Sequence, residues 1–122
     1  MDKFSENQLR IFFSTYQTLQ KMLQKYTLEQ IRSDQFLELA FERILSLLAI
    51  TVSRIYKHNR HLQIPYIKTV IRLKNQLVWD LTPLKLSFVR NLINLIIPSV
   101  ANYFSNLNPS KNEKNFSAAS DS

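Results

Sequence analysis

Apolar residues along the chain recur at intervals of three and four rather than two, the spacing of one face of an α-helix rather than of a strand. Leu9, Phe12, Phe13, Tyr16, Leu19, Leu23 and Tyr26 make one such face. Ser5 with Gln8 reads as a capping box in front of it, so a first helix is predicted from Ser5 to about Tyr26. Thr27 and Gln30 repeat the signature ahead of a short helical turn at LEQI. A second long helix is expected after a Ser33 cap, running to about His58, with Phe36, Leu37, Ala40, Phe41, Ile44, Leu47, Leu48 and Val52 inward. From Ile44 to Val52 it is apolar nearly all round, which fits the central helix of a bundle or half of a dimer interface.

The polar run NRHLQ interrupts the pattern, and Pro65 supplies a first-turn proline for a third helix, Pro65 to about Asp80. Its apolar stripe reads Ile67, Val70, Ile71, Leu77, Val78 and Leu81, with Lys74 in the middle. Trp79 stands near the end, where a polar-tipped aromatic fits core, interface or stacking platform. Thr82 and Pro83 read as the cap and first residue of a fourth helix. From Asn91 to Ser110 there is no charge, a composition compatible with a membrane span. Periodicity argues against one: Ser87, Asn91, Asn94, Pro98, Asn102 and Ser105 form a polar stripe, and Val89, Leu92, Ile93, Ile96, Val100 and Phe104 an apolar one. Pro98 is expected to kink this helix. Residues 1–107 read as a single helical domain, and NPSKNEKNFSAASDS, 108–122, as a polar, disordered tail.

Composition agrees with the pattern. In 122 residues, 45% hydrophobic, there is material for a core, and with no Gly and four Pro the expected fold is all-α, an antiparallel bundle of four to five helices. The absence of Cys excludes a disulfide framework, a thiolate metal site and a Cys nucleophile. A Gly-rich phosphate loop is excluded too. MDKFSENQLR lacks the basic-then-apolar order of a signal peptide, so a cytoplasmic protein without a membrane anchor is expected.

The formal charge is +7, and its distribution is informative. Arg43, Arg54, Lys57, Arg60, Lys68, Arg72 and Lys74 fall between Arg43 and Trp79 with two His and no acid. Such a surface fits a phosphate-rich partner or an acidic protein. His58 and His61 stand three apart without an acidic neighbour to complete a metal site, so no metal is expected. Glu38 and Glu42, one turn apart, read as a solvated face rather than an acid/base pair.

The order of four stretches resembles a known family. FERILSLLAITVSRI follows a pattern of acid, Arg, apolar pair and then a Gly-Glu-Ala step; IPYIK matches an Ile-Pro-aromatic helix start; LKNQLVWDL matches an Arg-Asn that leads, after three more residues, to His-x-Tyr; PLKLSFVRNLINLIIP keeps the spacing to a late Pro. Over Leu9 to about Phe104 the chain resembles the HepT-like proteins of the HEPN superfamily. That resemblance implies a dimeric helical bundle, a minimal nucleotidyltransferase as antitoxin partner, and metal-independent ribonuclease chemistry without a cofactor. In such proteins a His moves a proton and an Arg stabilises phosphorane-like charge in a dimer cleft, and the Tyr is the residue to which AMP is transferred.

The residues at those positions depart from the signature. Lys74 stands at the Arg, Trp79 at the His and Leu81 at the Tyr; Ala49, Ile50 and Thr51 replace Gly-Glu-Ala, and Asn75 alone is kept. Trp cannot accept a proton and Leu cannot be nucleotidylated. Acid/base catalysis supplies roughly 10²–10⁴ in rate, so the resemblance implies a degenerate subunit, a homodimer or a heterodimer with a paralogue, that binds its partner and RNA without cleaving. The candidate nucleic-acid residues are Arg54, Lys57, Lys68, Arg72, Lys74 and Asn75. Two alternatives stand beside it: an active ribonuclease using Arg72, Lys74, Asn75 and one of His58 or His61, and a helical interaction module with no nucleic-acid role. Lys74 is either a snorkelling lysine or a phosphate-facing cation.

Overall fold

The computed structural model describes residues 1–79 and 83–107, and among these it is all-helical. The helices are α1 (Lys3–Lys25), α2 (Leu28–Ser33), α3 (Gln35–His58), α4 (Ile67–Trp79), α5 (Leu86–Asn91), a π turn (Leu92–Ile96) and α6 (Ile97–Leu107). They fall into two compact units, 1–62 with 67–79 and 63–66 with 83–107. The tail 108–122, like Asp80, Leu81 and Thr82, lies outside the described residues.

In the first unit α1, α2 and α4 all pack on α3, which makes the helix that reads apolar on all sides the central one. Phe12, Leu19, Ile31, Leu45 and Ile55 are fully buried there, each stabilising by roughly 1.5–3 kcal/mol relative to exposure. The inward set differs from the expected one: Leu45, Ala49 and Ile55 are buried, whereas Ala40 is exposed and Phe36 is 82% exposed. In α1, Leu9, Phe12 and Leu19 are buried as expected, while Phe13, Tyr16, Leu23 and Tyr26 are half-buried.

Caps account for the starts. Thr27 and Gln30 form the expected capping box, each side chain accepting from the other's backbone N–H at 3.1 and 2.8 Å. The same signature at Ser5 and Gln8 does not cap. Asp2 does, accepting from the Ser5 N–H at 3.1 Å, since a carboxylate there also meets the positive end of the helix dipole. Ser5 and Gln8 are buried instead. For α3 the cap is Asp34 rather than Ser33, its Oδ1 accepting from Phe36 and Leu37 N–H at 2.9 and 3.1 Å.

Neither proline opens a helix. Pro65 is followed by Tyr66 at φ 60°, in the left-handed region, so helical geometry begins only at Ile67. That conformation costs a bulky residue roughly 1–2 kcal/mol. Pro83 likewise precedes the helix, whose cap is Lys85; Thr82 lies outside the described residues.

In the second unit the predicted apolar stripe holds and the polar one holds except at Pro98 and Ser105, which are half-buried. Val89, Leu92, Ile96, Val100 and Phe104 are buried, Ile93 is half-buried, and Ser87, Asn91, Asn94 and Asn102 are exposed. Pro98 has no N–H to give, and its ring would crowd the carbonyl four residues back. The chain answers with the π turn just before it, where the Ile97 N–H donates to the Leu92 carbonyl, five residues back. Ser99 Oγ donates to the Leu95 carbonyl at 2.6 Å. Among the described residues, no helix is long and apolar enough to cross a membrane.

Candidate nucleic-acid interface

The segment 67–79 forms a helix because it carries neither Gly nor Pro and one continuous inward face. That face is centred on Val70 and Leu73, both buried, with Leu77 between them toward the helix end and Ile67 at one side, both half-buried. The stripe read from the sequence is therefore rotated by roughly 40° from the one the helix uses. It omits Leu73 and includes Val78, which is 52% exposed; Leu81 lies outside the described residues. The rotation moves Lys74 from the centre of the apolar stripe to its shoulder, where it is half-buried. There a lysine keeps its stem on apolar surface and its ammonium in water, so packing alone accommodates the cation.

On the opposite face Lys68, Arg72, Asn75 and Trp79 are all exposed. Their spacing of four, three and four places them within about 60° of arc and along about 16 Å of helix. Trp79 is 83% exposed, which rules out the reading of this residue as core within the chain. Among the described residues it has neither a hydrogen bond nor a ring contact. An indole left in water forgoes roughly 4 kcal/mol of burial. Lys74 lies about 140° of turn from Trp79, whereas Arg72 lies within about 20°. The cation that accompanies Trp79 is thus Arg72.

The remaining candidates are on α3. Arg43, Arg54 and Lys57 are exposed and, at spacings of eleven and three, share one face. Among the described residues no ion pair engages these three, Lys68, Arg72 or Lys74, and no bond joins the α3 strip to the α4 strip. Arg60, beyond the helix, has its guanidinium 5.1 Å from the Tyr56 ring centre. The six predicted residues therefore resolve into a strip of Lys68, Arg72 and Asn75, a separate strip of Arg54 and Lys57, and Lys74 apart from both.

The histidines do not join them. The His58 ring lies 4.4 Å from that of Phe4, and its Nδ1 is 3.2 Å from the Arg54 carbonyl; His61 is exposed after the helix end. Among the described residues no hydrogen bond or ring contact links either to Arg72, Lys74 or Asn75. Glu38 and Glu42 are half-buried on α3, and no group of three or more metal-ligating side chains occurs among the described residues. Ala49 and Thr51 are buried, the Thr51 hydroxyl donating to the Leu48 carbonyl at 2.9 Å.

Sequence reasoning missed one polar constellation. Asn59, buried at the end of α3, donates from Nδ2 to Ser5 Oγ at 2.8 Å and to the Ile55 carbonyl at 2.9 Å. One turn after Ser5 on α1, the Gln8 Oε1 is buried and has no hydrogen-bond partner among the described residues. The Asn59–Ser5 bond fixes α1 against the end of α3, and no local signal announces a pair 54 residues apart. Asp2, next to them, titrates below the usual carboxylate range because Ser5 donates to it, with His58 adding a smaller contribution. No family model, curated protein or solved structure matches the chain.

Proposed function

We infer that the protein is a catalytically degenerate HepT-like subunit: a helical protein that binds RNA through the basic face of α4 without cleaving it, and that pairs with a minimal nucleotidyltransferase in a toxin–antitoxin type assembly. The observation that carries RNA binding is the exposed line of Lys68, Arg72, Asn75 and Trp79 within a segment free of acids from Arg43 to Trp79. Lys68 and Arg72, which have no ion-pair partner among the described residues, can attract phosphates and release their counterions. Support for the loss of cleavage comes from α4 itself, which carries no His and has Trp79 where the resemblance places one. An indole has no acid/base chemistry near neutral pH, and the two His of the chain are exposed at the end of α3 and just after it.

The assembly and the partner rest on the order of sequence stretches set out above. In this arrangement the dimer, with itself or with an intact paralogue, supplies no tyrosine from this chain for nucleotidylation, because Leu81 occupies that position.

Incubation of the purified protein with tRNA and total RNA, without divalent metal, tests the reading. Retarded complexes and intact RNA are expected. Endonucleolytic products that vanish in Lys74→Ala would overturn the non-catalytic assignment, and products that vanish in a His58→Ala/His61→Ala pair would favour the relocated ribonuclease. Inspection of the adjacent reading frame for a minimal nucleotidyltransferase, and co-expression with its product, tests the partner: such a gene and co-purification are expected, and absence of the gene would remove the partner assignment.

A further inference from the structure

We propose that the α4 strip takes single-stranded nucleic acid, with an unpaired base stacked on Trp79, and discriminates against duplex. The proposal rests on the nucleic-acid reading above and names its substrate class. Three observations carry it.

Trp79 is left almost wholly in water on a helix face, at 83% exposed, as Phe36 is at 82% in the first turn of α3, and the ring faces of Trp79 are unoccupied among the described residues. Its neighbours along the same line are two cations and an amide. Lys68 and Arg72, one turn apart, are exposed, suited to successive phosphates of one strand; Arg72 in addition has the planar fork that holds phosphate through two bonds. Asn75, between Arg72 and Trp79, offers both a donor and an acceptor to a base edge or a sugar. The line is about 16 Å long, the span of roughly four or five stacked nucleotides.

A duplex meets this strip poorly. Its bases are paired and stacked, so none has a free face for an indole, and the deep, narrow major groove of A-form RNA does not admit side chains. In a wide DNA groove the single N–H of Trp79 cannot make the two-bond contacts by which base pairs are read. An unpaired base supplies the missing partner, because every base has a π-face and stacking tolerates any sequence. An acidic protein surface would satisfy Lys68 and Arg72 but leaves the indole unexplained.

The full chain provides its own reporter, since Trp79 is its single Trp. Short oligouridylate and oligothymidylate are expected to quench Trp79 emission, while duplex RNA, duplex DNA and polyglutamate leave it nearly unchanged. In anisotropy with labelled strands, Trp79→Ala is expected to weaken single-strand binding by roughly 5- to 150-fold, with duplex binding altered by less than about twofold. Trp79→Phe, which keeps a ring, is expected to recover part of the loss, and unchanged helical circular dichroism in both variants shows that the fold survives. If single strands and duplex bind alike and Trp79→Ala affects neither, stacking is overturned while nucleic-acid binding stands. If no nucleic acid binds at low salt, or polyglutamate binds and quenches as well as oligouridylate, both readings fall together.

Discussion

Two helical runs of this protein break the rules of a regular amphipathic helix, and they do so differently. In the run from Leu86 to Leu107 a proline sits inside the helix, and the backbone adjusts to it locally: the π turn of Leu92–Ile96 lies just before Pro98, with the Ile97 N–H donating to the Leu92 carbonyl five residues back. On α4 the anomaly is Trp79, left 83% exposed, together with Val78 at 52%, and among the described residues no hydrogen bond or ring contact of Trp79 offsets the loss. A departure with local compensation is explained by folding. One without it points to an interaction outside the fold.

The contrast is open to direct attack, beginning with the largest effect. Phe104 and Trp79 are both large aromatics in helices, one fully buried and one in water. Phe104→Ala is expected to lower the unfolding free energy by roughly 3–5 kcal/mol, and Trp79→Ala by less than about 0.5 kcal/mol, measured by urea denaturation followed by circular dichroism. A loss above about 2 kcal/mol for Trp79→Ala would mean that the indole serves stability, and the comparison would fail.

Next comes the buried polar group that ties α1 to α3. Asn59→Ala leaves Ser5 Oγ without its donor and is expected to cost about 1–3 kcal/mol. Asn59→Asp, which replaces the donor by an acceptor, is expected to cost at least as much. A neutral Asn59→Ala would show that the Ser5 contact does not set the pairing of the two helices.

Pro98→Ala sharpens the other side. A proline inside an uncompensated helix costs about 3 kcal/mol, so its removal should stabilise by a similar amount. With the π turn already absorbing it, a gain of less than about 1 kcal/mol is expected. The smallest effect concerns the start of α1. Bonding from Ser5 holds Asp2 below its ordinary range, so its contribution is present above pH 4 and disappears as the pH falls through the lowered value. Asp2→Asn keeps an acceptor at the cap and should remove that acid-limb dependence, visible in the pH profile of the thermal midpoint.

The same comparison explains what was legible in the sequence. In the last run apolar and polar residues are cleanly segregated, and the faces assigned from periodicity agree with burial at Leu92, Ile96, Val100 and Phe104. Segment 67–79 has apolar residues on more than half its circumference, so periodicity admits several stripes. The choice between them is made by packing on α3, which buries Leu73 and frees Val78. Short-range signals behaved similarly. Thr27 and Gln30 have no competitor and cap as read; Ser5 and Gln8 lose to Asp2, and the Ser5 hydroxyl is claimed by a residue 54 positions away. Left-handed Tyr66 leaves no mark in a chain without Gly.

Of the candidate site, the charges were legible and their grouping was not. The acid-free segment identifies Lys68, Arg72 and Lys74 alike, but the helix separates Lys74 from the line that Arg72 shares with Trp79. The exposure of the indole follows from which face α3 covers, a tertiary fact.

The most direct test of the α4 strip is the salt dependence of RNA binding by the wild type and by Lys68→Ala/Arg72→Ala, with RNA integrity checked in the same samples. Each phosphate contact to a single strand contributes about 0.7 to the slope of log affinity against log salt. The double variant is therefore expected to bind more weakly at low salt with a slope shallower by about 1.4, and the RNA to remain intact. Identical affinities and slopes for the two proteins, or metal-free cleavage by the wild type, would contradict it.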